Sequence, residues 1–157
     1  ILDIIERFSS RDIAVRFIEY MDVGTTNGWS LDDVVSASEI RDMIGDIERI
    51  VPENKSDVAK RYKLPNGGEV GIISSVTEPF CSDCTRARIS SDGRLFTCLF
   101  SNNGLDLLSP IRAGHTDSYI TNLIREHWSK RKDRYSEERS LNISKTSERV
   151  EMSYIGG

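Results

Sequence analysis

The sequence predicts an α/β fold, entered partway through its sheet. Three observations carry that expectation: an amphipathic helical stretch at the start, a largely apolar strand directly after it, and alternating helix and strand signals downstream. In the first stretch Ile1, Leu2, Ile4, Ile5 and Phe8 recur at helical spacing. The second, Ile13-Ala14-Val15-Arg16-Phe17-Ile18-Glu19-Tyr20, is rich in β-branched and aromatic residues, as a sheet strand should be. Opening on a helix end, and on Ile1 where an initiator methionine would stand, the chain reads as the C-terminal piece of something longer.

The later elements follow in order. Met21 to Leu31 reads as a loop, with Gly24, Gly28 and a lone Trp29. Ser36 and Glu39 have capping-box spacing, and Ile40, Met43, Ile44 and Ile47 continue at helical intervals until Pro52 limits the helix. Two strands are expected, Ala59 to Leu64 and Glu69 to Val76, joined by the turn Pro65-Asn66-Gly67-Gly68. A second hairpin is expected from Arg86 to Ser90 and Arg94 to Phe100, which flank Ser91-Asp92-Gly93. After Pro110 a helix should run from about Asp117 to Arg131, with Ile120, Leu123, Ile124, His127 and Trp128 on one face. Ser129 to Arg149 is polar and reads as a solvated helix end and linker.

Composition narrows the function classes. With 157 residues, 38% hydrophobic and 29% charged, the chain suits a globular domain with its own core. A net charge of −4 argues against a nucleic-acid partner bound through a basic face, while leaving room for a small basic pocket. No apolar run reaches membrane-spanning length and no signal-peptide pattern occurs, so a cytoplasmic location without a membrane partner is expected. Three closely spaced cysteines fit metal binding in a reducing compartment better than a disulfide framework.

Those cysteines are the chemically richest feature. Cys81-Ser82-Asp83-Cys84 is followed by thirteen residues and then Cys98. A two-residue gap lets two thiolates converge on one centre, and the expected hairpin would fold Cys98 back toward them. Spacing alone favours a structural zinc site with His115 or His127 as fourth ligand. Three thiolates on a [4Fe–4S] cluster would instead leave one iron without a protein ligand. His127, on an apolar helix face, reads more readily as a packing residue, and His115 as a local hydrogen-bonding one. Arg86 and Arg88 flank Ala87, and on a strand they would share a face. Two guanidinium forks aimed at one spot suit a triphosphate, against the plainer reading of surface charge. Arg16, in an otherwise apolar strand, needs either a salt bridge or a ligand contact, and Glu19 is expected on the opposite face.

The block Phe80 to Ser101, FCSDCTRARISSDGRLFTCLFS, closely resembles the C-terminal cluster motif of the molybdenum cofactor biosynthesis protein A family. Three further stretches agree in order: Val15 to Met21 with Gly24, Asp106-Leu107-Leu108 with Ile111-Arg112 and the helix after them, and the closing Ile155-Gly156-Gly157. The family's members are radical S-adenosylmethionine enzymes acting as GTP 3′,8-cyclases, which are lyases. The resemblance implies that Cys81, Cys84 and Cys98 hold an auxiliary [4Fe–4S] cluster whose open iron engages guanine. It implies that Arg86, Ala87 and Arg88 bind the GTP phosphates and that Met21, with Arg16 nearby, meets S-adenosylmethionine. Gly156 and Gly157 would form a catalytic tail reaching into the active site.

The same resemblance implies an incomplete (β/α) TIM-type barrel. Residues 1–31 would be its tail and residues 32–157 a mixed α+β region carrying the cluster. The family's second [4Fe–4S] cluster sits on a Cys-x3-Cys-x2-Cys motif that has no counterpart in these residues, so this chain alone is expected to be inactive. The implied reaction removes the 3′ hydrogen of the GTP ribose and joins that carbon to C8 of guanine. Its product, 3′,8-cyclo-7,8-dihydro-GTP, is consumed by a cyclic pyranopterin synthase. A homodimer is compatible with all of this. The alternatives are a zinc- or cluster-stabilised non-catalytic interaction module, and the auxiliary-cluster domain of a radical enzyme acting on peptides.

Overall fold

The amphipathic start forms helix α1, Leu2–Phe8, and the apolar stretch after it forms strand β1, Val15–Ile18, in a computed structural model that describes residues 1–9, 13–139 and 150–155. Helix α2, Ala37–Ile44, follows, then strands β2 (Glu48–Arg49), β3 (Lys60–Lys63) and β4 (Glu69–Ile73). These strands make one mixed sheet in the order β1-β4-β3-β2. β1 runs parallel to β4, with Val15 opposite Val70 and Phe17 opposite Ile72, while β3 pairs antiparallel with both β4 and β2. A parallel pair requires a long crossover. Residues 19–68 supply it, carrying α2 and the two antiparallel strands.

The core of this unit follows from the pattern. β4 lies between two strands, and its Val70 and Ile72 are completely buried, packed with Ile5, Ala37, Ile40, Tyr62 and Leu64. Ser36 caps α2 through the expected capping box: its Oγ accepts from Glu39 N, and Glu39 accepts from Ser36 N at 2.8 Å. Gly45 ends the helix well before Pro52. β1 alternates. Val15 and Phe17 point inward, whereas Arg16 and Ile18 are exposed, so the Arg16 charge is not buried and the sequence-based worry about its cost falls away.

The chain divides into two compact units, one of residues 1–21 and 29–84 and the other of residues 22–28 and 85–157. The second is built on an antiparallel sheet of β5 (Arg88–Ile89), β6 (Arg94–Phe96) and β7 (Leu105–Asp106), in that order. Gly93, with φ +77°, closes the β5–β6 hairpin, its N–H donating to Ser90 O at 2.9 Å. Short helix α3, Leu108–Arg112, carries Pro110 in its first turn, where the missing N–H is not needed. Pro110 therefore sits inside one short helix and ahead of the helix expected from Asp117. Helix α4, Asp117–Ser129, is capped by Thr116, whose Oγ1 accepts from Tyr119 N at 3.3 Å. Its predicted apolar face is its half-buried face.

Candidate functional site

The cysteine pair sits at the end of a carefully held loop in the first unit. After β4 the chain turns through residues 74–80, and two acidic side chains fix it. Glu19, just past β1 and only 2% exposed, accepts hydrogen bonds from Val76 N (2.7 Å), Thr77 N (2.9 Å), the Thr77 hydroxyl and Ala37 N (2.7 Å). One carboxylate thereby ties β1, the N-terminus of α2 and the loop leading to the cysteines. Glu78 is the second anchor, paired with Arg41 of α2 at 2.7 Å and with Lys60 of β3. The hydrogen bonds from Arg41 and then Lys60 hold its carboxyl at about 2, well below the usual 4.5.

Cys81–Asp83 forms a single 3-10 turn, closed by Cys84 N donating to Cys81 O at 3.2 Å. Both thiols are half-buried, one at each end of this turn. Sequence reasoning passed over Glu19, placing it on the opposite face from Arg16. Alternation does place it there, but that face is the inward one. The signal was available: a carboxylate at inward parity beside Val15 and Phe17 must find several donors or not be there.

Arg16 lines a cavity of about 470 Å³ in the same unit, with Ala14, Glu53, Asp57, Val58, Ala59, Arg61 and Glu69. Arg61 forks onto Glu69 at 2.8 and 2.7 Å, and that contact chiefly lowers the Glu69 carboxyl, with Arg16 adding a smaller charge effect. Met21 is half-buried beyond the C-terminal end of β1.

Cys98, Arg86, Ala87 and Arg88 belong to the second unit. Cys98 is half-buried and flanked by fixed residues: Thr97 Oγ1 donates to Asp133 at 2.6 Å, and the Phe100 ring stacks on Tyr135 at 4.3 Å. Tyr135 in turn donates to Asp22 at 2.6 Å, and Arg139 pairs with the same carboxylate at 3.1 Å. Burial alone would raise the Asp22 carboxyl, but the Tyr135 hydrogen bond and the Arg139 charge outweigh it and hold it low. Residues 131–139 are thus not the solvated linker expected. Arg139 is only 6% exposed, and losing it would leave the buried Asp22 carboxylate without its charge partner, with only part of its hydrogen bonding kept, at a cost of up to about 3–5 kcal/mol.

Strand β5 begins at Arg88, so Arg86 and Ala87 lie before it and strand alternation does not put both arginines on one face. Arg86 and Ala87 are exposed and Arg88 half-buried. His115 stacks on Tyr119 at 4.2 Å, and His127 lies on the half-buried face of α4. Among the described residues no three His, Cys, Asp or Glu side chains are gathered to hold a metal ion. The first unit therefore presents a pair of thiols at the ends of one turn. Gly156 and Gly157 lie outside the described residues. No helix among the described residues is long and apolar enough to cross a membrane.

Residues 13–137 match the family model Molybdenum Cofactor Synthesis C. The GTP 3′,8-cyclase of Staphylococcus haemolyticus (strain JCSC1435) is 44% identical over 164 residues, covering 100% of this chain and 48% of that protein. The GTP 3′,8-cyclase of Synechococcus sp. (strain CC9902) is 41% identical, covering 94% and 44%. That of Xanthomonas campestris pv. campestris (strain B100) is 42% identical, covering 100% and 47%. The chain spans about half the length of the curated relatives it matches. With this agreement running through both units, the chain belongs to the molybdenum cofactor biosynthesis protein A family and carries its C-terminal region.

Proposed function

We propose that this chain is the substrate-holding part of a GTP 3′,8-cyclase of molybdenum cofactor synthesis. The observation that carries this reading is the match to curated GTP 3′,8-cyclases at 40–44% identity along the whole chain, cysteine block included. Cys81, Cys84 and Cys98 are the ligands of an auxiliary [4Fe–4S] cluster. The donor set suits one: thiolates only, two of them half-buried on a single turn whose approach is fixed by Glu19 and Glu78. When bound, such a cluster supplies one iron with an open position for an atom of the guanine ring.

The chain's own side chains do the remaining work of positioning. Arg86 and Arg88 neutralise phosphate charge, with the small Ala87 between them leaving the backbone accessible. Met21, at the C-terminal end of β1, and Arg16 face S-adenosylmethionine. Gly156 and Gly157 enter the active site as a tail without side chains. Residues 1–31 are the tail of an incomplete barrel and residues 32–157 its cluster-binding partner. The α1–β1 succession supports the barrel-tail reading, and the parallel pairing of β1 with β4 carries that sheet on past residue 31. Radical generation from S-adenosylmethionine belongs to a second cluster on a cysteine motif outside these residues, so this chain alone leaves GTP unchanged. Holding ribose and base rigidly is its contribution, because a reactive radical takes the nearest hydrogen.

Anaerobic reconstitution tests the assignment. About four irons per chain with matching sulfide are expected, falling away in Cys81→Ala, Cys84→Ala or Cys98→Ala. One zinc without sulfide, under the same handling, would overturn it in favour of a non-catalytic interaction module.

A further inference from the structure

The last described turn, Met152–Ile155, is fixed at several points within its own unit. Ile155 is completely buried. The Tyr154 hydroxyl donates to Asp92 Oδ2 at 2.6 Å, at the tip of the β5–β6 hairpin, and the Tyr154 ring meets Phe96 edge to face at 6.3 Å. Asp92 is itself held by Ser90 Oγ at 2.5 Å and Arg94 Nε at 3.3 Å. On the other side Glu151 accepts from Thr25 N at 2.8 Å, Thr25 Oγ1 at 3.1 Å and Thr26 Oγ1 at 3.2 Å.

Gly24 completes the arrangement. Its φ is +71°, and a Cβ there would lie 2.1 Å from Glu151 Oε2, so the carboxylate occupies the space a side chain would need. The Ser90 and Tyr154 hydrogen bonds lower the Asp92 carboxyl, and the Thr25 N–H chiefly lowers that of Glu151. The contact with Asp92 raises the Tyr154 phenol. At neutral pH both acceptors are ionised and the donor keeps its proton.

We propose that Glu151 and Tyr154 form a latch that sets where the chain's last two residues, Gly156 and Gly157, begin. They are positioning residues, acting through the tail and touching no substrate. This rests on the reading that the tail enters the active site. Two glycines carry no side chains to find a place of their own and span at most about 7 Å, so what they can reach is set by where they are rooted. A misplacement of roughly 1 Å can cost about a hundredfold in rate.

The test uses both this chain and the longer enzyme carrying it. In this chain, Tyr154→Phe with Glu151→Gln should speed amide hydrogen exchange in residues 151–155 at least tenfold while β5 and β6 stay protected. Unchanged exchange would overturn the latch. In the longer enzyme the same double variant should lower kcat at least tenfold, with KM for GTP, iron content and Tm close to the parent's. If kcat, iron content and Tm fall together, the contacts only pack the fold and the positioning role is wrong. Thr25→Val with Thr26→Val loosens the latch from the other side and should reproduce the kcat loss if the first pair folds poorly. Deleting Gly156 and Gly157 separates the two ideas. A deletion that abolishes product while the latch variants turn over at the parent rate refutes the latch alone. A deletion without effect refutes the tail reading and the latch with it.

Discussion

Glu19 and Thr77, fifty-eight residues apart, are joined by two hydrogen bonds: Thr77 N donates to Oε2 at 2.9 Å and the Thr77 hydroxyl donates to Oε1. The link runs from the end of β1 to the loop that delivers Cys81 and Cys84. Ala37 N and Val76 N complete the donor set, so both oxygens of this buried side chain are spoken for. Four donors on one buried acid make a junction that cannot shift at one point without releasing another.

Glu19→Gln should therefore destabilise the first unit by about 2–3 kcal/mol, because an amide NH2 would face donors where an oxygen is required. For a chain of this size that is a drop in Tm of roughly 5–10 °C. Alkylation of Cys81 and Cys84 should speed up relative to Cys98, since only the first two follow the loop that Glu19 holds. A Tm within about 2 °C of the parent, with unchanged alkylation, would show that the junction is dispensable.

Glu78 gives the chain a pH dependence with a definite sign. Its carboxyl is lowered from 4.5 to about 2 by Arg41 and Lys60, so the folded state favours the ionised form. Its contribution is full above about 4.5 and is lost as the pH falls from about 4.5 toward 2. The side chain is about a third exposed, and solvent screening limits the pair's worth to about 1 kcal/mol. Denaturant unfolding of the parent and of Glu78→Gln should differ by that amount at pH 6–7 and converge near pH 2. A difference that grows on acidification would contradict the assignment.

Local signals in the sequence were strong where chemistry is local. The Ser36–Glu39 box, the Asn66-Gly67 and Asp92-Gly93 turns and the apolar face of α4 each follow from residues within a few positions of one another, and each forms as expected. The two-residue strands β2 and β7 escaped notice because Glu48–Arg49 and Leu105–Asp106 are too short to carry a period, and pairing with β3 and β6 defines them. Long-range polar contacts were invisible for a related reason. Nothing near Arg139 announces that Asp22 is its partner, 117 residues away, so a polar stretch looked solvated. The cysteine spacing stands out in the sequence, but the anchors of the loop that leads to Cys81 and Cys84, Glu19 and Glu78, do not, since a carboxylate's donors need not be its sequence neighbours.

The arginines offer the sharpest test of substrate binding, and it needs the longer enzyme. Arg88 opens β5 and is half-buried, whereas Arg86 sits before the strand and is exposed. The two should therefore not be equivalent. A charge-assisted phosphate contact is worth about 1.5–3 kcal/mol, or roughly a ten- to hundredfold change in affinity. Arg88→Ala, removing the more buried arginine, should fall at the upper end of that range for GTP, and Arg86→Ala at the lower end. Affinity for S-adenosylmethionine should stay within about threefold in both, because Met21 and Arg16, in the other unit, are the residues assigned to it. Lysine at position 88 should restore only part of the loss, since an ammonium keeps the charge but not the fork. Calorimetric titration of GTP and of S-adenosylmethionine into each variant measures all of this. Parent-like GTP affinity in the Arg86→Ala, Arg88→Ala double variant would remove the phosphate role from both residues.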